Sequence, residues 1–161
     1  MVWSGCATNM RAARPVMAST SLQIVRVAPR EVERAASSLA AQHEGDFTLA
    51  GVGESMRPAY LPGTMVVVHP TSYFMLRRGM PVVYVNEKGD RVAHVLVEEL
   101  ESGWVVQGLN NAEPDGDRVT RRNLVGIIRC AFVPDSNRSD AAHTAIARLG
   151  RGRDGGVALV N

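Results

Sequence analysis

Residues 81–100 read PVVYVNEKGDRVAHVLVEEL. Valine and tyrosine favour a pleated, half-buried backbone, and a proline is tolerated at the first position of a strand. Asn86-Glu87-Lys88-Gly89-Asp90 is a glycine-containing loop of hairpin length. Residues 91–100 resume as its partner strand, with Val92, His94, Leu96 and Glu98 at alternate positions and so on one face. The stretch reads as a β-hairpin.

The same texture extends outward on both sides. Towards the N-terminus, residues 64–69 form a strand behind the turn signal Leu61-Pro62-Gly63, and residues 47–52 (FTLAGV) form another before a turn at Gly53-Glu54-Ser55. Towards the C-terminus, residues 103–109 and 124–133 bring the total to at least six strands. Short strands with regular turns predict a mainly β core. Further upstream the period changes. Residues 21–28 suit a short strand, and Pro29 opens a helix in which Val32, Ala35, Ala36, Leu39 and Ala40 share one face. His43-Glu44-Gly45 ends that helix, and its apolar stripe suits packing against a sheet. Residues 1–20 show no period and read as a flexible tail; Ser139-Asp140 suits the cap of a second helix over 141–149, and residues 150–161 read as flexible again. The expected layout is a tail over 1–20, a strand and helix over 21–46, a β core over 47–134 and a helix plus tail over 135–161.

Bulk properties bound the function. The chain has 161 residues, 45% hydrophobic and 21% charged, which suits one globular domain with tails. A net charge of +2 is too small a bias to indicate nucleic acid. Cys6 and Cys130 give neither a disulfide framework nor a zinc spacing, and no cluster suits a metal. His43, His69 and His143 show no partner pattern. No apolar run reaches the length of a membrane span and no secretory h-region is evident, so the expectation is a soluble, cytoplasmic protein without a cofactor.

Gly53-Glu54-Ser55-Met56-Arg57-Pro58 stands directly after a predicted strand. It resembles the G-x-S-M-x-P box of type I signal peptidases and their relatives, the S24/S26 group of serine peptidases that includes the self-cleaving repressors. Further segments resemble that group in colinear order. Leu61-Pro62-Gly63 with Val66-Val67-Val68, and Leu76-Arg77-Arg78-Gly79 with Val82-Val83-Tyr84, resemble its two "G-D" turns and the strands behind them. Val92-Ala93-His94 resembles the segment that bears the general base, Gln107-Gly108-Leu109-Asn110-Asn111 its "K-G-D-N-N" box, and Val125-Gly126 its closing strand. The resemblance spans about residues 47–133. It implies a coiled β core with one N-terminal helix and a candidate C-terminal one. It also implies Ser55 as nucleophile, with Gly53, Ser55 and Met56 as the substrate and oxyanion segment.

A serine hydroxyl needs a neighbour to accept its proton. The bacterial branch of the group uses lysine, whereas the endoplasmic-reticulum branch and many archaeal relatives use histidine. Lys88 is the single lysine here and falls at a predicted hairpin tip; an exposed lysine amine, with a reference pKa of about 10.4, is protonated near neutral pH and does not serve as a base. His94 occupies the base position, so the resemblance implies the histidine branch. In that branch an aspartate follows the "G-D-N-N" box and orients the imidazole. Asp115 is the first candidate and Asp117 the alternate; the spacing does not separate them. The chain departs from the group's pattern at Thr64, Met80 and Leu109, which replace aspartates, and at Val95, which replaces an arginine. The resulting expectation is a soluble serine endopeptidase acting on a protein or peptide. The rival is a non-catalytic module of the same fold that holds a peptide strand by β-augmentation. The repressor branch fits poorly, because one helix ahead of Ser55 is too little for a helix-turn-helix unit.

Overall fold

The structure is a computed structural model, and it describes residues 23–137. The tail expected over 1–20, Cys6, His143, the helix expected over 141–149 and the final stretch lie outside the described residues.

The hairpin forms as the sequence predicts. β4 (Pro81–Val85) pairs antiparallel with β5 (Arg91–Leu100), placing Val82 opposite His94 and Tyr84 opposite Val92. The Asn86 side chain accepts the N–H groups of Lys88 and Asp90 and so closes the loop. Around this pair the other strands are β1 (Ile24–Val27), β2 (Phe47–Ala50), β3 (Met65–His69), β6 (Gly103–Gln107), β7 (Arg118–Val119) and β8 (Leu124–Pro134). They form one eight-stranded, curled sheet in the order β2-β3-β8-β4-β5-β6-β7, with β1 running parallel to the distal half of β8. The architecture is mainly β, as expected, with eight strands among the described residues where six were the minimum read from the sequence.

The structure differs from the sequence reading in detail. β2 stops at Ala50 rather than Val52. Gly51 still donates to the Thr64 carbonyl at 2.7 Å, but Val52 then turns outward and is 93% exposed. β5 buries side chains on both of its faces. Val95 packs with Val83 and Ile128 on one side, while Leu96 packs with Tyr84 and Trp104 on the other. The register against β6 slips between Leu96 and Glu98, so the alternation that put Glu98 in phase with His94 is broken by a bulge. β7 is a two-residue strand with no period of its own, and a short 3-10 turn at Tyr73–Met75 lies in the loop before β4.

α1 (Val32–Ala40) follows a 3-10 turn at Pro29–Glu31. Its buried residues are Val32, Ala35, Ala36, Leu39 and Ala40, the five of the apolar stripe. A helix of nine residues is too short to persist alone, so packing holds it. It lies on Val27, Val67, Cys130 and Phe132. Past its end, the Asp46 side chain is wholly buried and binds two strands: Oδ1 lies 2.6 Å from His69 Nδ1 on β3, and Oδ2 accepts from Arg129 Nη1 on β8 at 3.1 Å. His69 therefore has the partner that its sequence neighbourhood did not disclose. No helix among the described residues is long and apolar enough to cross a membrane.

Candidate active site

The loop between β2 and β3 presents Ser55. Gly53 takes a positive φ of 91°, which lets the chain reverse immediately ahead of the serine, and a Cβ there would meet open space. Arg57 N–H returns to the Glu54 carbonyl at 3.1 Å and Tyr60 N–H to the Met56 carbonyl at 3.0 Å. The N–H groups of Ser55 and Met56 take no part in those turn bonds. Met56 is 5% exposed and its side chain packs with Tyr60, Val66 and Val95, so it anchors the loop in the core while Ser55 stays half-exposed beside it.

The segment after β6 braces this loop from outside. Asn110 N–H donates to the Ser55 carbonyl at 2.7 Å, and Asn110 Nδ2 donates to the Glu54 carbonyl at 3.2 Å. Gln107 Nε2 closes the brace onto the Asn111 carbonyl at 2.8 Å. Gly108 is required by this contact, since a Cβ there would lie 2.7 Å from the Ser55 carbonyl oxygen. Leu109, where the resemblance expects an aspartate, is exposed and contributes none of these bonds. Thr64, at the first of the replaced turn aspartates, is fully buried, and its Oγ1 accepts the Leu61 N–H at 3.0 Å. A hydroxyl there performs the turn-bracing that a carboxylate would.

β5 carries His94 to the same place. The ring is 6% exposed, and its Nε2 lies 2.9 Å from Ser55 Oγ, across 39 residues of sequence. Its Nδ1 is hydrogen-bonded to Oδ2 of Asp115. An ionised carboxylate only accepts, so Nδ1 carries the proton and Nε2 turns a lone pair toward the serine hydroxyl. Asp117 does not join them. Its Oδ2 accepts the Glu87 N–H at 3.4 Å, on the β4–β5 loop. Lys88 is exposed on that same loop.

Two further residues shape the site without having been singled out from sequence. Arg118 Nη1 donates to the carbonyls of Asp115, Gly116 and Asp117 at 2.9, 3.0 and 3.0 Å, curling the acid-bearing loop around one guanidinium. Tyr84 donates its hydroxyl to Asp115 Oδ2 at 2.7 Å. The only trace of Tyr84 in the sequence is its polar tip on an otherwise apolar strand, in phase with Val82, which faces His94. Arg118 had no such trace.

These side chains form a chain of hydrogen bonds, serine to imidazole to carboxylate, with the imidazole carried by a strand inside the curled sheet. The family model described as Peptidase S24-like matches residues 15–128, more than half of the sequence. The chain belongs to the Peptidase S24-like family. Its described fold is the mainly β, peptidase-type fold expected of that membership, with Ser55, His94 and Asp115 all inside the matched span. None of the curated proteins compared matches the chain. No group of three or more His, Cys, Asp or Glu side chains suited to a metal occurs among the described residues.

Proposed function

We propose that the chain is a serine endopeptidase of the histidine-base type. The observation that carries the reading is the approach of Ser55 Oγ to His94 Nε2 at 2.9 Å while Asp115 occupies the far nitrogen of the same ring. Ser55 Oγ attacks the scissile carbonyl carbon, and its proton passes to His94 Nε2. The C–N bond then breaks as the imidazolium returns that proton to the leaving amine. Water, deprotonated by the same nitrogen, releases the acyl group from Ser55. Asp115 holds the tautomer and stabilises the imidazolium. The Ser55 N–H is the first donor for the oxyanion, and the side-chain-free Gly53 leaves the substrate backbone room to approach. The resemblance to signal peptidases points to small side chains beside the cut.

The test is intact mass spectrometry of wild type, Ser55→Ala and His94→Ala, alone and with a pool of peptides carrying small residues. Wild type is expected to cleave, and either substitution to lower the rate by about four orders of magnitude. Full activity in Ser55→Ala would overturn the assignment. Binding of peptides by wild type without cleavage would replace it with a peptide-holding module.

A further inference from the structure

Asp115 Oδ2 accepts from two donors at once, His94 Nδ1 and the Tyr84 hydroxyl. We propose that Tyr84 is a positioning residue of this site: its hydroxyl fixes the Asp115 carboxylate and thereby the orientation of His94. The inference rests on the peptidase reading for its kinetic consequence, but its structural consequence stands apart from turnover.

The argument begins with the two anchors. Asp115 belongs to a loop, and its carboxylate is free to rotate about its own bond unless something holds it. Its backbone is held, by its N–H on the Val106 carbonyl at 2.8 Å and by Arg118 on its own carbonyl. Neither contact fixes the side chain. Tyr84 belongs to β4, between β5 and β8, and is 1% exposed. Its ring is clamped by Leu76, Val82, Leu96 and Trp104. A hydroxyl on a clamped ring is a donor at a fixed point, so the sheet core dictates where Oδ2 sits. The register explains the meeting: Tyr84 pairs with Val92 and Val82 with His94, so tyrosine and histidine lie diagonally on one face of the hairpin. Burial first, and then the bond to Asp115, push the Tyr84 phenol well above its ordinary range, so it remains a proton donor throughout the range in which an imidazole titrates.

The hydroxyl also draws charge from the oxygen that His94 uses. Without it, Oδ2 would carry more charge toward Nδ1, and the carboxylate would gain a rotation. Other polar and charged groups of the site are the Ser55 hydroxyl, the exposed Glu54–Arg57 ion pair on the serine loop, Asp117 beside Asp115, and Arg118 on β7. Tyr84→Phe leaves all of them in place.

The experiment compares wild type, Tyr84→Phe and Val83→Ala in the full chain. Val83 lies on the opposite face of β4 and packs with Val66 and Ile128, so its truncation weakens the strand without touching Asp115. The first readout is the proton NMR resonance of His94 Nδ1–H, which an N–H held on a carboxylate places far downfield. Tyr84→Phe is expected to move or broaden it away, and Val83→Ala to leave it. The second is steady-state kinetics, in which Tyr84→Phe is expected to lower kcat about ten- to hundredfold with KM little changed. An unshifted resonance in Tyr84→Phe, or an equal shift in Val83→Ala, overturns the inference. If wild type cleaves nothing, the peptidase reading fails and the resonance still decides the role of Tyr84.

Discussion

Tyr60 and Tyr84 show how one residue type takes opposite values from its surroundings. Both are buried, at 8% and 1% exposure. Tyr84 has Asp115 as its acceptor. The Tyr60 hydroxyl has no hydrogen-bond partner among the described residues, and burial, with Cys130 adding to it, raises its phenol above the ordinary range. An unpartnered hydroxyl in an apolar setting has lost its water and gained nothing, whereas the ring contributes packing with Met56 and Val66. Tyr60→Phe keeps the ring and removes the cost. The expected result is a stability unchanged or raised by up to about 1 kcal/mol, read from the denaturant midpoint. A loss of that size would mean that the hydroxyl is satisfied after all.

At the scale of elements, the serine loop is shaped from both sides by segments remote in sequence. Met56 roots it in the core, and the turn after β6 presses on it through Gly108 and Asn110. The tightest point is backbone against backbone, where neither partner is a flexible side chain. Gly108→Ala therefore has to displace the Ser55 carbonyl or break the Asn110 bond. The substitution is expected to cost about 1–3 kcal/mol in stability. It should also lower kcat at least about tenfold, by shifting Ser55 Oγ from His94. Thermal unfolding and steady-state rates on one preparation check both, and an unchanged rate would show that the brace does not position the serine. The same logic accounts for the tolerance of Thr64. The turn needs an acceptor for the Leu61 N–H, and a threonine hydroxyl supplies it.

Across the whole molecule, the buried acids of the core link stability to alkaline pH. Burial pushes the Cys130 thiol from its usual 9.0 up to about 12, with a bond from the backbone of Ala131 and the charge of Arg129 opposing. Tyr60 and Tyr84 move in the same direction. The sign follows from proton counting. A group whose pKa is raised by folding keeps its proton in the native state after the unfolded chain has released it, so stability is full below the unfolded value and drains away above it. Unfolding free energy is expected to fall from about pH 9 upward, by about 1.4 kcal/mol per pH unit for each such group, with the tyrosines joining above about pH 10. Urea titrations between neutral pH and pH 11 measure this. Cys130→Ala should flatten the first part of the slope, and a slope identical to wild type would exclude the thiol as its source.

The sequence alone determined what is encoded within a few residues. Alternation and a glycine loop specified β4 and β5, and the stripe from Val32 to Ala40 named the buried face of α1. The colinear boxes singled out Ser55 and His94, which the sheet then brought within hydrogen-bond distance. Only the tertiary structure decided what depends on where distant segments meet. Asp115 and Asp117 are equivalent by spacing; a guanidinium gathers the three carbonyls of their loop, with the Asp115 carboxylate on His94 and that of Asp117 accepting from Glu87 of the β4–β5 loop. The bulge after Leu96, the parallel docking of β1 on β8, and the bonds from Asp46 to His69 and Arg129 have no local signature. Tyr84 reads as one more core residue until the loop after β6 folds over it. Periodicity records which face of an element avoids water. The partner of a buried polar group is set by the path of the rest of the chain.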